Sequence, residues 1–405
     1  KVDGLTLADA RGGFVNAEYG IKRQNRSTKI VVTRRGVLIC TEDHRLQVLG
    51  KRVEGKRYHE KNYPLSDAYL VEAKDLVPGM VLPHSIVNNK DVNYADNYDD
   101  VKYYCESIDE ELVLDTKWAY FAGIFTGDGC AGNNNDWLGI SHGSNDDHSD
   151  WRSIVHESIL DIGLNFSINK NKKDTRILGG INQINKIKDI GLIKEVQLNK
   201  RGRKTLRIPA WIMSGGPAFM WNFIAGLFDT DGTVGKNAGP SISTSEIELA
   251  GQLLCILRYL GVNCSLIKSW NKVYDRYYWK VYIGSENIDE FRRRCPIRNK
   301  GKIDRLDKII SRKAPFRYNQ VLMVLDGGLR DVYDFHINND DHLYLQGGLI
   351  GHNNCVTGDS LVQTENGWEE IKDLVIKEGR HPANFGLVGS DGKVRQTDSV
   401  YGGGE

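Results

Sequence analysis

Two nine-residue segments of the chain share one design, Phe121-Ala-Gly-Ile-Phe-Thr-Gly-Asp-Gly129 and Ile224-Ala-Gly-Leu-Phe-Asp-Thr-Asp-Gly232. Each is an apolar, helix-like run with small residues that closes on Asp-Gly. Packed side by side through Ala122-Gly123 and Ala225-Gly226, two such helices bring their backbones close, because no bulky side chain stands between them. The carboxylates at the helix ends, Asp128 and Asp231, then converge on one point. Converging carboxylates suit Mg2+ held between protein and phosphate. A single copy is weak support, since Ala-Gly helices ending at glycine are common. Two copies about a hundred residues apart, inside a longer repeat, constrain the fold strongly.

The repeat continues after each Asp-Gly with a polar connection, an amphipathic helix, a Gly-hydrophobic-Asn step and a strand-like segment. Ile154 to Ile162 followed by Gly163-Leu-Asn-Phe-Ser-Ile168 answers Leu253 to Leu260 followed by Gly261-Val-Asn-Cys-Ser-Leu266. Ile177-Leu-Gly-Gly180 answers Tyr282-Ile-Gly-Ser285. Each half reads as helix, strands and helix. Two such halves predict two curved antiparallel sheets that suit a DNA duplex, with alternate side chains at base edges and Lys and Arg at phosphates.

The twin segments resemble the LAGLIDADG motif of homing endonucleases. The resemblance implies a pseudo-symmetric αβ domain built on a helix pair, a double-stranded DNA partner with a long asymmetric target, and Mg2+ as cofactor for cleavage. It assigns metal binding and catalysis to Asp128 and Asp231. Lys280, before Val-Tyr-Ile-Gly-Ser, stands where a family-like lysine near the scissile phosphate is expected. An exposed strand lysine explains it equally well. The matching place in the first half is Thr175, with Lys172 and Lys173 close by.

The net charge of +1 conceals an uneven distribution. Asp91 to Asp115 is acidic and Tyr-rich and reads as a connector. Arg292-Arg293-Arg294, Arg298, Lys300, Lys302, Arg305, Lys308, Arg312 and Lys313 form a basic stretch, and Lys200-Arg201-Gly-Arg203-Lys204 another. A charge run is usually a solvated face; because these runs flank the twin motif, we read them as DNA contacts. No apolar run is long enough to span a bilayer. The N-terminal residues have no signal-like stretch, and the seven cysteines lack Cys-x-x-Cys spacing. The expectation is a cytoplasmic, reduced protein with no membrane partner and no structural zinc.

Three segments outside the repeat fit a second chemistry: Thr41-Glu-Asp-His44; Val332-Tyr-Asp-Phe335 with His342 and Gly347-Gly-Leu-Ile-Gly-His-Asn353; and Cys355-Val-Thr-Gly-Asp-Ser-Leu-Val362. A cysteine whose own amide nitrogen belongs to the scissile peptide can exchange an amide for a thioester. A histidine such as His44 suits protonation of the departing nitrogen, with Thr41 holding the oxyanion or amide. Asn353 can attack its own carbonyl and close a succinimide, with His352 and His342 as acid and base. Singly, each residue has a structural explanation; the set does not. The segments resemble the signatures of inteins, self-splicing proteins of the Hint fold. The resemblance implies an all-β splicing domain that needs no cofactor and a host extein as partner, with Asn353 rather than Asn354 reactive.

The order of these segments is rotated relative to an intein, with Cys355 directly after the His-Asn segment. Read in a circle, the order is restored. An engineered circular permutant, a split intein fused in reverse and a numbering that departs from connectivity all remain open, and the Gly-rich end from Gly402 suits a surface break point. Asn354 has no hydroxyl or thiol, so ordinary splicing is blocked at this junction while partial cleavage stays available. The expected fold class is α+β: a Hint domain from residues 1–112, 316–354 and 355–405, with a LAGLIDADG endonuclease over 113–315. The alternatives are a splicing domain whose insert only binds DNA or has decayed, and a free-standing endonuclease with extra flanking structure.

Overall fold

In the computed structural model of the chain, α1 (Thr116–Asp128) and α5 (Gly216–Asp231) lie against each other and are buried around nearly their whole circumference. The structure describes residues 6–8, 14–51, 67–83, 100–131, 137–142, 149–169, 174–192, 207–235, 239–312, 319–337, 343–352, 355–364, 367–377, 385–388 and 394–397. Asp115 starts α1 by accepting hydrogen bonds from the amides of Lys117 (2.9 Å) and Trp118 (3.0 Å), satisfying two of the orphan donors of a helix N-terminus. Pro217 in the first turn of α5 gives up a donor that has no partner there.

Small residues make the helix contact possible. A Cβ on Gly123 would stand 2.1 Å from the Phe223 carbonyl oxygen, and one on Gly226 would stand 2.1 Å from that of Tyr120. The next atoms met are the Leu227 nitrogen (2.7 Å) and the Ile124 nitrogen (2.9 Å). Positions 120, 123 and 124 relate to 223, 226 and 227 by one constant offset, so the contact is reciprocal.

Beyond each helix the chain takes the same course. Gly129–Ala131, Leu138–Ser141, α2 (Ser149–Asp161), Asn165–Asn169, Asp174–Leu178 and α3 (Gly180–Asp189) succeed α1. After α5, which is preceded by the short α4 (Ala210–Ser214), come Gly232–Val234, Pro240–Thr244, α6 (Ile247–Tyr259), Cys264–Asn271, Arg276–Ile283 and α7 (Ile288–Arg294). The two four-stranded antiparallel sheets share one strand order, in which the last strand pairs between the second and the third. The Gly-hydrophobic-Asn step after each amphipathic helix is a left-handed residue in both copies, Gly163 at φ 73° and Gly261 at φ 77°. Glycine carries no steric penalty there.

The register corrects one alignment made from the letters. Ile140 pairs with Thr175 and Ser141 with Asp174, whereas Ile242 pairs with Val281 and Ser243 with Lys280. Since Gly129 faces Ile140 and Gly232 faces Ile242, Lys280 corresponds to Asp174 and not to Thr175. A one-residue slip moves a side chain to the opposite face of the sheet. Thr175 accordingly is buried, with its hydroxyl 3.0 Å from Nε2 of His156.

The chain divides into two compact units, 92–250 with 260–314 and 1–91 with 251–259 and 315–405. The acidic stretch expected as a connector contains a hairpin of the first of these, Val101–Cys105 with Glu110–Leu114. It packs on α3: Tyr103 Oη donates to the Asp189 carbonyl (2.7 Å), Ser107 Oγ to its carboxylate (2.6 Å), and Lys186 pairs with Glu110. The many acidic residues hid a period-two pattern that buries Cys105, Leu112 and Leu114.

In the other unit thirteen strands join by antiparallel pairing among the described residues. Its longest strands, Phe14–Thr33 and Asn319–Ile337, run side by side through four register shifts. Val31, Leu38, Cys40, Leu46, Phe335, Val356 and Val362 form its core. It also holds α9 (Ile371–Lys377) and most of α6, so it is not purely β as expected from sequence. Among the described residues no helix is long and apolar enough to cross a membrane.

Candidate active site at the helix ends

Each central helix passes into a strand without a loop, and the glycine after the acid permits it. The amide of Gly129 donates to the Phe125 carbonyl and that of Gly232 to the Phe228 carbonyl. A Cβ at either glycine would lie 2.2 Å or 2.3 Å from the same oxygen. The turn fixes where Asp128 and Asp231 emerge. One residue earlier, Gly127 admits Thr230 of the partner helix, whose Oγ1 lies 2.0 Å from where a Cβ would be.

Asp128 and Asp231 take no hydrogen-bond partner among the described residues. Burial lifts Asp128 to about 6. Burial, and then the Asp128 charge, lift Asp231 to about 6 as well. The pair is therefore close enough to interact and poorly solvated when ionised, which is the condition a divalent cation relieves. Among the described residues no group of three or more His, Cys, Asp or Glu side chains is placed to hold a metal ion.

The lysine coupled to this pair is Lys302, on α8 (Lys300–Leu306), rather than Lys280. Its ammonium donates to the carbonyls of Phe228 (2.7 Å), Asp229 (2.9 Å) and Thr230 (3.0 Å), closing the C-terminus of α5. Burial pulls it down to about 8, opposed by the charges of Asp229, Asp231 and Asp128. Lys280 lies mid-sheet between Ser243 and Ile267, half-buried.

Sequence reading also passed over Asp229, two residues before Asp231. Its carboxylate is buried and accepts three hydrogen bonds, from Tyr120 Oη (2.6 Å), the Arg298 amide (2.8 Å) and the Asn299 amide (3.1 Å). Burial still raises its pKa.

The basic stretch from Arg292 onward is divided: Arg293, Lys300, Arg305, Lys308 and Arg312 are exposed, whereas Arg292, Arg294, Arg298 and Lys302 are half-buried. Arg292 donates to the carbonyls of Leu306 (2.7 Å) and Ile309 (2.9 Å), while Arg293 and Arg294 pair with Glu290. Arg298 pairs with Asp161 (3.1 Å) and stacks over the Tyr120 ring at 4.0 Å. The second run, Lys200 to Lys204, and also Lys172 and Lys173, lie outside the described residues. A polar face on the second sheet does exist: Thr233, Ser243, Tyr282, Lys280 and Tyr278 alternate with the buried Ile242, Val281 and Trp279.

Residues 218–296 match the family described as LAGLIDADG-like domain. The match covers α5, the second sheet and α7. Among solved structures the chain is similar to I-DmoI in complex with DNA and Mn, with 13% identity over 44% of this chain and 96% of that one, at a TM-score of 0.30. It is similar to mesophilic variants of the homing endonuclease I-DmoI, with 14% identity over 44% and 94% of the chains and a TM-score of 0.29. Full-length DUF199/WhiA from Thermatoga maritima gives 14% identity over 50% and 63%, with a TM-score of 0.30. Superpositions this loose place no individual residue. No curated protein matches the chain.

In the strand-rich unit, the segments carrying the second set of sequence candidates meet. Thr41 donates its amide to the Cys355 carbonyl (3.0 Å), and Cys40 pairs with Val356. The His44 amide donates to the Thr41 carbonyl (3.0 Å), and Gly351, next to His352, pairs with Leu46. A Cβ on Gly351 would lie 2.7 Å from Nε2 of His44, so the ring packs onto the backbone just before His352. Thr41, His44 and Cys355 are all buried. Burial pushes the Cys355 thiol up to about 12, with Asp334 adding to the effect. The Thr41 hydroxyl is bound to the Asp43 carboxylate and holds its pKa low. His342 and Asn353 lie outside the described residues.

Proposed function

We propose that the LAGLIDADG-like unit cleaves double-stranded DNA with Mg2+, Asp128 and Asp231 holding the cation and Lys302 the adjacent positive charge. The reading rests on one observation: two desolvated carboxylates without hydrogen-bond partners stand at equivalent ends of a reciprocal helix pair. A bound divalent cation supplies Lewis acidity toward a phosphoryl oxygen and lowers the pKa of bound water. The chain itself supplies two anions fixed by the helix-to-strand turns, and an ammonium suited to charge building on a phosphate. The polar face of the second sheet suits the duplex. Incubating the purified chain and Mg2+ with plasmids carrying a library of randomised duplex inserts should give double-strand breaks at one recurring sequence. Retention of that sequence without breaks would instead support a DNA-binding domain that does not cut.

A second reading belongs to the strand-rich unit, where Cys355, Thr41, His44 and the His352 segment converge from distant parts of the chain. We propose it as a peptide-bond rearrangement centre of intein type. A thiol held near 12 is almost wholly protonated at neutral pH, so attack by Cys355 needs a base at the moment of reaction. Intact-mass measurement with and without a thiol nucleophile tests this: cleavage before Cys355, absent from Cys355→Ala, is expected, and one unchanged mass rejects it.

A further inference from the structure

The two motif copies differ at the residue two before the terminal acid. The first copy has Thr126, whose hydroxyl donates back to the Ala122 carbonyl of its own helix (2.8 Å). The second has Asp229, which reaches out of its helix. Its Oδ2 accepts from Tyr120 on α1 and from the Arg298 amide, and its Oδ1 from the Asn299 amide. Asn299 is the residue that caps α8, its side-chain oxygen accepting from the Lys302 amide (3.2 Å). Lys302 then returns to α5 and donates to three successive carbonyls, Phe228 to Thr230. The circuit runs from α5 through Asp229 to the 298–299 backbone, along the first turn of α8, and back to α5 one residue short of Asp231.

We propose that Asp229 is a positioning residue for Lys302: by holding the 298–299 backbone it sets where the ammonium stands relative to Asp128 and Asp231. A carboxylate does this better than a neutral side chain because it accepts from all three donors and has none of its own, so no lone pair or N–H opposes another. The Tyr120 bond ties the same carboxylate to α1, so the lysine is referenced to both helices. Thr126 cannot play this part, since a hydroxyl already bonded within its own turn does not span to a neighbouring loop. The device is thus built into one half of the repeat at the level of a single residue.

The inference rests on the DNA-cleavage reading above, and two measurements on the full-length chain separate them. The first is a double-mutant cycle on the plasmid cut by the wild-type chain, with Asp229→Asn, Lys302→Met and the pair. Asparagine keeps the size but turns one acceptor into a donor facing an amide. Cleavage should slow by about 10-fold or more in Asp229→Asn, and the same substitution should cost almost nothing further in the Lys302→Met background. Equal losses in both backgrounds would overturn the proposal, because a purely structural role acts with or without the lysine. The second needs no DNA: the Cε resonance of Lys302 is followed with pH by carbon-detected NMR, assigned from its absence in Lys302→Met. In the native chain it should titrate near 8. In Asp229→Asn, release to solvent should carry the midpoint up toward the ordinary lysine value. A midpoint unchanged or lower means the lysine stayed in place and the proposal fails, whether or not any DNA is cut.

Discussion

The two halves of the unit built on α1 and α5 agree in backbone and disagree in side chains. Each has the same helix, glycine turn, four-strand order and left-handed step before its third strand. Yet Thr126 faces inward on its own helix where Asp229 recruits a loop, and Asp174 stands where Lys280 stands in the other sheet. Symmetry is held where glycine and main chain touch, because no other residue fits. It is released wherever a side chain reaches a partner outside the shared core.

The largest effect should come from the one pair that must act together. Asp128→Asn and Asp231→Asn are each expected to reduce Mg2+-dependent cleavage by about 100-fold or more, measured as single-turnover rates on the selected plasmid. A loss confined to one variant would mean that the apparent twofold site works through a single acid.

Next comes the helix contact. Gly123→Ala and Gly226→Ala each drive a methyl group into a carbonyl of the facing helix, so urea unfolding should show similar losses of about 2–3 kcal/mol. Clearly unequal losses would show that the reciprocity of the backbone contact does not extend to its energetics.

The acids themselves should oppose stability when no metal is bound. Folding raises both from 3.8 to about 6, so the favourable protonated state is fully present below pH 4 and is lost as pH rises through 6. In EDTA, stability should fall across that window, and Asp128→Asn should gain about 1–2 kcal/mol at pH 7 after discounting for partial exposure. Added Mg2+ should stabilise the native chain more at pH 7 than at pH 4, and the variant less. The smallest change is expected at Thr126→Ala, about 1 kcal/mol by thermal melting, because a bond within one helical turn and one buried methyl group are lost.

The repeat was legible because its determinants are local and paired. Glycines that admit a facing backbone cannot be varied, and the Asp-Gly step marks a helix that turns straight into a strand. Lys302 was not legible. In the letters it belongs to a basic run like any solvated helix face, and nothing local distinguishes a lysine that caps a buried helix from one in water. Only Asn299, a fitting N-cap three residues earlier, hinted that a new helix starts there. Asp229 was masked by its more prominent neighbour Asp231. The hairpin at residues 101–114 was misread because acidic residues on its exposed face outweighed the alternation beneath.

The sequence by itself determined the helix pair, the two-half plan, the acids at its ends and the residue types that gather around Cys355. Those features come from steric limits and from spacing, which a chain carries in one dimension. Only the tertiary structure decided which lysine is coupled to the acids, which acid is structural, which face each strand residue takes and which residues of the basic run are tied to partners. Those depend on desolvation and on hydrogen bonds between residues dozens of positions apart, such as Asp229 with Asn299 and Arg298 with Asp161. Burial changes the charge state and role of a titratable group without changing its letter.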